Sequence, residues 1–81
     1  MSLVIVTLQG ATQSNTVAFY APNRTTFIKS SPTGANGQFS IQLEKAQYTV
    51  KVNDSCWATS PDPLLIYLPL QFVTIVAPCT Q

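Results

Sequence analysis

The amino-acid sequence predicts an all-β domain, and three observations carry that expectation. Residues 35–52 alternate strictly, with Phe39, Ile41 and Leu43 on one face of a first run and Tyr48, Val50 and Val52 on one face of a second. Successive side chains of a strand point to opposite faces, so period-two alternation marks a half-buried strand. Short apolar, β-branched runs recur along the chain at spacings of about 8–12 residues, with turn residues between them. No stretch carries a helical period, and the abundance of Thr, Val, Ile and aromatic residues favours strands.

Taken in order, Leu3 to Leu8 is β-branched and apolar on both faces, which predicts a well-covered first strand. Gly10 to Asn15 is a polar turn, followed by a second strand from Thr16 to Ala21. Pro22-Asn23-Arg24 punctuates the chain, and Thr25 to Ser30 forms a third strand carrying Phe27 and Ile28. Ser31 to Gly37 is the longest turn signal, with one Pro and two Gly. The Asn36-Gly37 turn opens a hairpin of strands four and five, whose connection is Glu44 to Gln47. Asn53-Asp54-Ser55 ends the fifth strand, and Cys56-Trp57-Ala58 is a short extension or a packed loop. Ser60-Pro61-Asp62-Pro63 is a rigid connection to strands six (Leu64 to Leu68) and seven (Gln71 to Val76), which Pro69 separates. The expected architecture is a small antiparallel seven-stranded Greek-key β-sandwich, a single domain over residues 1–81.

Composition narrows the function classes. Charged residues are 9% of the chain and the formal net charge is +1, against roughly 25% charged in an ordinary globular domain. Seven Ser, ten Thr, four Asn and seven Gln stand in their place. Arg24, Lys29, Lys45 and Lys51 are scattered, so no basic track exists to neutralise phosphates, and nucleic-acid binding is not expected. A weakly charged surface lowers the desolvation cost of packing against another protein. The start, MSLVIVTL, lacks a charged leader region, so no secretory signal peptide is expected. Leu64 to Val76 is broken by Pro69 and Gln71 and is too short for a membrane span of about 20 residues. The two sequons, at Asn23 and Asn53, read as chance matches.

The block from Gly34 through Val52, Gly-Ala-Asn-Gly-Gln-Phe-Ser-Ile-Gln-Leu followed by Ala46-Gln47-Tyr48-Thr49-Val50-Lys51-Val52, resembles the prealbumin-like sandwich domains, the carboxypeptidase regulatory-like and transthyretin-like group. In that group an Asp/Asn-Gly turn precedes an aromatic residue and a later Gly-x-Tyr opens the next strand. Asn36-Gly37-Gln38-Phe39 and Tyr48-Thr49-Val50 fit this, as does the upstream strand Thr16-Val17-Ala18-Phe19-Tyr20, so the resemblance spans roughly residues 16–52. The Gly before the tyrosine strand is Ala46 in this chain. The resemblance implies a Greek-key sandwich used as an accessory or interaction module, and it transfers no catalytic residue.

Chemistry is scarce. The chain has no histidine, which removes the commonest general base, the Ser-His-Asp and Cys-His arrangements and most zinc sites. Its three carboxylates, Glu44, Asp54 and Asp62, all fall in turn or strand-end positions, and a small sandwich has little room for the cleft that two-carboxylate hydrolysis needs. Residues 31–37 lack the Lys and following helix of a phosphate loop. No enzyme activity, cofactor or metal is expected; the one cation-binding candidate is the oxygen trio of Asn53, Asp54 and Ser55. Cys56 and Cys79 are candidates for a disulfide, worth roughly 3 kcal/mol through loop closure, the alternative being two buried thiols.

Interaction is where the sequence points. Leu64, Leu65, Ile66, Tyr67, Leu68, Phe72, Val73 and Ile75 place apolar side chains on both faces of the last two strands, while a two-sheet domain has only one interior. Tyr20 and Trp57, with Tyr67, are interface anchors by residue type. The expectation is a non-enzymatic structural protein that forms a homo-oligomer, with a trimer favoured, and packs on a larger shell or tail. Its concrete form would be a bacteriophage virion component, such as a capsid decoration (cement) or tail accessory protein. The alternative is a carbohydrate- or protein-binding adhesive module at a cell surface, using Trp57 and the tyrosines.

Overall fold

The computed structural model describes all 81 residues. Its chain forms eight strands: β1 (Ser2–Leu8), β2 (Thr16–Tyr20), β3 (Phe27–Pro32), β4 (Gln38–Leu43), β5 (Ala46–Val52), β6 (Cys56–Trp57), β7 (Leu64–Ile66) and β8 (Leu70–Ile75). They build two sheets, one ordered β4-β1-β8 and one ordered β3-β2-β5-β6, with β7 pairing the first half of β5. There is no helix. One cluster of 16 buried residues fills the space between the sheets. Inward side chains alternate along β1, as Val4, Val6 and Leu8 do, and along β8, while on β5 Thr49 is buried between Tyr48 and Val50, and β3 is exposed nearly throughout. Phe19 sits at the centre, fully buried, with the rings of Phe39 and Tyr48 edge-on to it at 6.3 Å. Edge-to-face contact suits the quadrupoles of aromatic rings, so this trio locks the two sheets together.

The strands lie close to where alternation puts them, but two expectations about pairing are corrected. β4 and β5 are not a hairpin: β4 pairs with β1, whereas β5 pairs with β2, β6 and β7 in the opposite sheet. Glu44 and Lys45 therefore cross from one sheet to the other. The sheets are also not antiparallel throughout, because β1 and β8 run parallel, from Leu3↔Leu70 to Leu8↔Ile75. The strand count is eight because Cys56-Trp57 pairs with Lys51-Val52.

The third strand starts at Phe27, two residues later than expected. Asn23 explains the shift, since its side-chain Oδ1 accepts hydrogen bonds from the N–H groups of Thr25 and Thr26 and holds them in a turn. Gly37 has φ +80°, and its carbonyl accepts from Leu8 N–H at 2.8 Å. A Cβ there would stand 2.6 Å from the Leu8 carbonyl oxygen, so the turn needs glycine for both its conformation and its close approach.

Cys56 and Cys79 are joined in a disulfide across a sequence separation of 23. Beside it, buried Asn15 ties three segments together. Its side-chain amide donates to the carbonyls of Gln13 and Gln81, and its Oδ1 accepts from the Asn53 side chain and Gln81 N–H. The chain end and the β5–β6 turn are thus fastened to the β1–β2 connection.

Candidate interaction surface

The side of the sandwich formed by β7 and β8 carries most of the exposed large apolar side chains, with Met1, Phe27 and Ile28 exposed elsewhere. On β8, Val73 and Ile75 face the core while Leu70 and Phe72 face out, and Phe72 is 74% exposed. The register sets Leu70 beside Leu3 and Phe72 beside Ile5 on the outer face of the three-stranded sheet. β7 is equally divided, with Leu64 and Ile66 buried and Leu65 exposed. Tyr67 and Leu68, in the turn before β8, are both exposed. Gln71 organises that turn, because its Oε1 accepts from the N–H groups of Tyr67 and Leu68 and its Nε2 donates to Leu65 O. An open cleft of about 350 Å³ separates β7 from β8, lined by Pro61, Pro63, Leu65 and Phe72 among others.

The candidates read from sequence divide accordingly. Leu65, Tyr67, Leu68 and Phe72 stand on the surface, whereas Leu64, Ile66, Val73 and Ile75 are core and leave the candidate surface. Strand parity is the cause, since one residue in two must face the other sheet. Leu3 and Leu70 belong to the patch and were missed. The signal was there in the Leu70/Phe72 spacing, but it needed the choice of which parity faces inward.

Tyr20 and Trp57 form a second surface, on the outer face of the other sheet. The Tyr20 ring stands edge-on to Trp57 at 5.2 Å and to Phe27 at 5.7 Å. Arg24 and Lys51 each place their cation 5.1 Å from the Trp57 ring centre. Arg24 is also paired with Asp62 at 3.3 Å and Lys51 with Asp54 at 3.6 Å. Cations over an indole face are attracted by its quadrupole, so Trp57 is already engaged by its own chain and is only half-buried.

Asn53, Asp54 and Tyr48 have structural occupations. Asn53 Oδ1 accepts from Thr16 N–H and its amide donates to Asn15, while Asp54 turns to Lys51, so the Asn53–Ser55 oxygens do not converge on a cation. No group of three or more metal-binding side chains is assembled anywhere. The Tyr48 ring is buried, its hydroxyl donates to Glu44 O at 2.6 Å, and burial, aided by the nearby Glu44 charge, pushes its pKa above the usual value.

No family model matches the chain, and comparison with curated proteins and with solved structures likewise finds no match. The two packed sheets establish an all-β domain compatible with a β-sandwich.

Proposed function

We propose that this protein is a structural subunit that works by self-association and by packing its β7–β8 side against a larger protein assembly, as a capsid decoration or tail accessory protein of a virion does. The observation that carries the reading is the set of exposed apolar side chains Leu65, Tyr67, Leu68, Leu70 and Phe72 on a chain whose last charged residue is Asp62. An exposed apolar patch of this kind marks a contact surface, and a domain this small gains stability from being covered. Such a subunit bridges its neighbours in a shell and adds buried area, which makes rupture of the particle costlier. The prealbumin-like resemblance fits the same use, as a Greek-key interaction module. Light scattering on the size-exclusion eluate tests the reading: an oligomer is expected, and a clean monomer at millimolar concentration would reject it.

The adhesive-module reading is less well supported, because a sugar-stacking platform needs an open indole face and Trp57 has two cations against it. A glycan array comparing the native chain with Trp57→Ala decides that point; saturable binding lost in the variant would revive it.

A further inference from the structure

The free edge of β8 carries a pairing pattern more specific than apolar area. In the parallel ladder with β1, Leu3 N–H donates to Pro69 O and Gln9 N–H donates to Ile75 O, both at 2.9 Å. The register between those bonds directs the backbone of Gln71, Val73 and Ile75 toward β1. Leu70, Phe72 and Thr74 therefore turn their N–H and C=O groups away from the sheet, where no group of the chain meets them. The edge closes only at Val76, which exchanges bonds with Ser60. Within Leu70 to Ile75, β8 has no Lys, Pro or bulge of the kind that blunts an edge.

We infer that β8 is the docking edge for β8 of a second copy, joined antiparallel about a two-fold axis through Phe72. This rests on the self-association proposed above and sharpens it, since a two-fold edge gives a dimer where the sequence favoured a trimer. With that axis Phe72 faces Phe72 of the other copy and Leu70 faces Thr74, so every outward backbone group of the free stretch finds a partner, two bonds at each pairing. A shift of one step one way would require Val76, which Ser60 already holds, and a shift the other way would require Leu68, whose N–H already donates to Gln71 Oε1.

Three further observations select a second copy as the occupant. No residue after Asp62 is charged, so apposing two identical edges brings no like charges together. Leu3, Leu65, Tyr67, Leu68, Leu70 and Phe72 are between 40% and 74% exposed. Of these, Leu70 and Phe72 lie on the pairing strand itself, and Phe72 meets its counterpart across the axis, so backbone pairing is joined by contact between those side chains. The edge also opens on the cleft beside Pro61 and Pro63, which leaves room for an approaching strand. The product is a continuous six-stranded sheet, β4-β1-β8 twice over, with Leu3, Ile5, Leu70 and Phe72 of both copies on its outer face.

Light scattering and amide exchange on the native chain, Thr74→Pro and Phe72→Lys test this. Thr74→Pro removes only an outward N–H, which an edge strand tolerates, and Phe72→Lys sets two like charges opposite each other. The native chain should be a dimer whose Phe72 and Thr74 amides are protected, and each variant should weaken dimerisation at least about tenfold with the circular dichroism of the fold retained. Should Thr74→Pro fail to fold, Phe72→Lys with the exchange data carries the test. A trimer, or a dimer indifferent to both variants, overturns the β8 pairing and leaves self-association standing; a native monomer overturns both.

Discussion

On one open side of the sandwich the edges of β3 and β4 approach each other, and on the other the edges of β7 and β8 do. The β3–β4 side has outward Gln38, Ser40 and Gln42 on β4, a strand-ending Pro32 on β3, and Lys29 reaching across to donate to Gln42 O at 2.9 Å. Its cleft, about 390 Å³, is lined by Met1, Ile28, Leu43, Ala46 and Tyr48 with Lys29, Gln42 and Glu44 among them. The β7–β8 side has no charge beyond Asp62 and shows Leu65, Tyr67, Leu70 and Phe72 to solvent. A bare strand edge is a pairing template, and lysine, proline and polar side chains are how chains ward off unwanted partners. The β3–β4 side carries edge-guarding lysine, proline and polar side chains even though Phe27 and Ile28 are exposed there, whereas β8 carries none along its free stretch.

Two phenylalanines make the sharpest test of that contrast. Phe19 is fully buried and Phe72 is 74% exposed. Phe19→Ala should cost about 3–5 kcal/mol of folding stability, read from chemical denaturation. Phe72→Ala should leave the stability of the dissociated chain within about 0.5 kcal/mol and act instead on the mass measured by light scattering. If Phe72→Ala lowers the unfolding midpoint as much as Phe19→Ala does, the open side is part of the core and the contrast fails.

The disulfide is next in size. Replacing Cys56 and Cys79 by alanine should cost roughly 3 kcal/mol in the chain-entropy account of a loop this long. The bond and the Asn15 hydrogen bonds close the end of the sandwich away from β7, so the loss should appear as global destabilisation with the association mode unchanged. Gly37→Ala follows, at about 2 kcal/mol or more, because φ +80° is strained for any Cβ and the Leu8 carbonyl lies only 2.6 Å from where that atom would go. Gly10→Ala is its control, with the same φ and nothing within 4 Å of the added atom. It should cost less.

These effects also show which parts of the molecule were legible in the sequence. Alternation reports the face a side chain occupies, and it located Ile41, Leu43, Tyr48, Val50 and Val52 in the interior. It does not report a strand's neighbour. Two strands facing each other across a core present the same pattern as two strands side by side, which is why β4 and β5 read as a hairpin although they lie in different sheets. The parallel β1–β8 pair joins the two ends of the chain, and no local signal encodes it. The apolar surface was visible as an excess of Leu, Ile and Phe after Pro63, but not its parity: Leu64 and Ile66 are core and Leu65 is surface because β7 pairs with β5.

Tyr48 probes the guarded side through pH. Its hydroxyl bonds Glu44 O beneath the β3–β4 cleft, and burial is the main reason its pKa lies above the ordinary value of about 10. The folded state then holds the phenol proton more tightly than the unfolded chain does. The resulting stability is complete below about pH 10 and is lost as pH rises through the folded value. Tyr48→Phe should remove roughly 0.5–1.5 kcal/mol at neutral pH with the lost hydrogen bond and flatten the alkaline fall. An alkaline unfolding profile unchanged by the substitution would place the titration elsewhere.

Lys29 gives the smallest expected change in stability and the most direct test of the guard. Its exposed hydrogen bond to Gln42 O contributes at most about 0.5–1 kcal/mol, so Lys29→Leu should barely move the thermal midpoint. It removes the one cation that spans the β3 and β4 edges, and it sets a new apolar group beside Ile28, which is already 45% exposed. In the Phe72→Lys background, where the open side is blocked, this substitution should restore concentration-dependent association, now through the opposite edge. If the double variant stays monomeric, charge on β3 is not what keeps that edge silent, and the polar outer row of β4 or the Pro32 terminus must hold it instead.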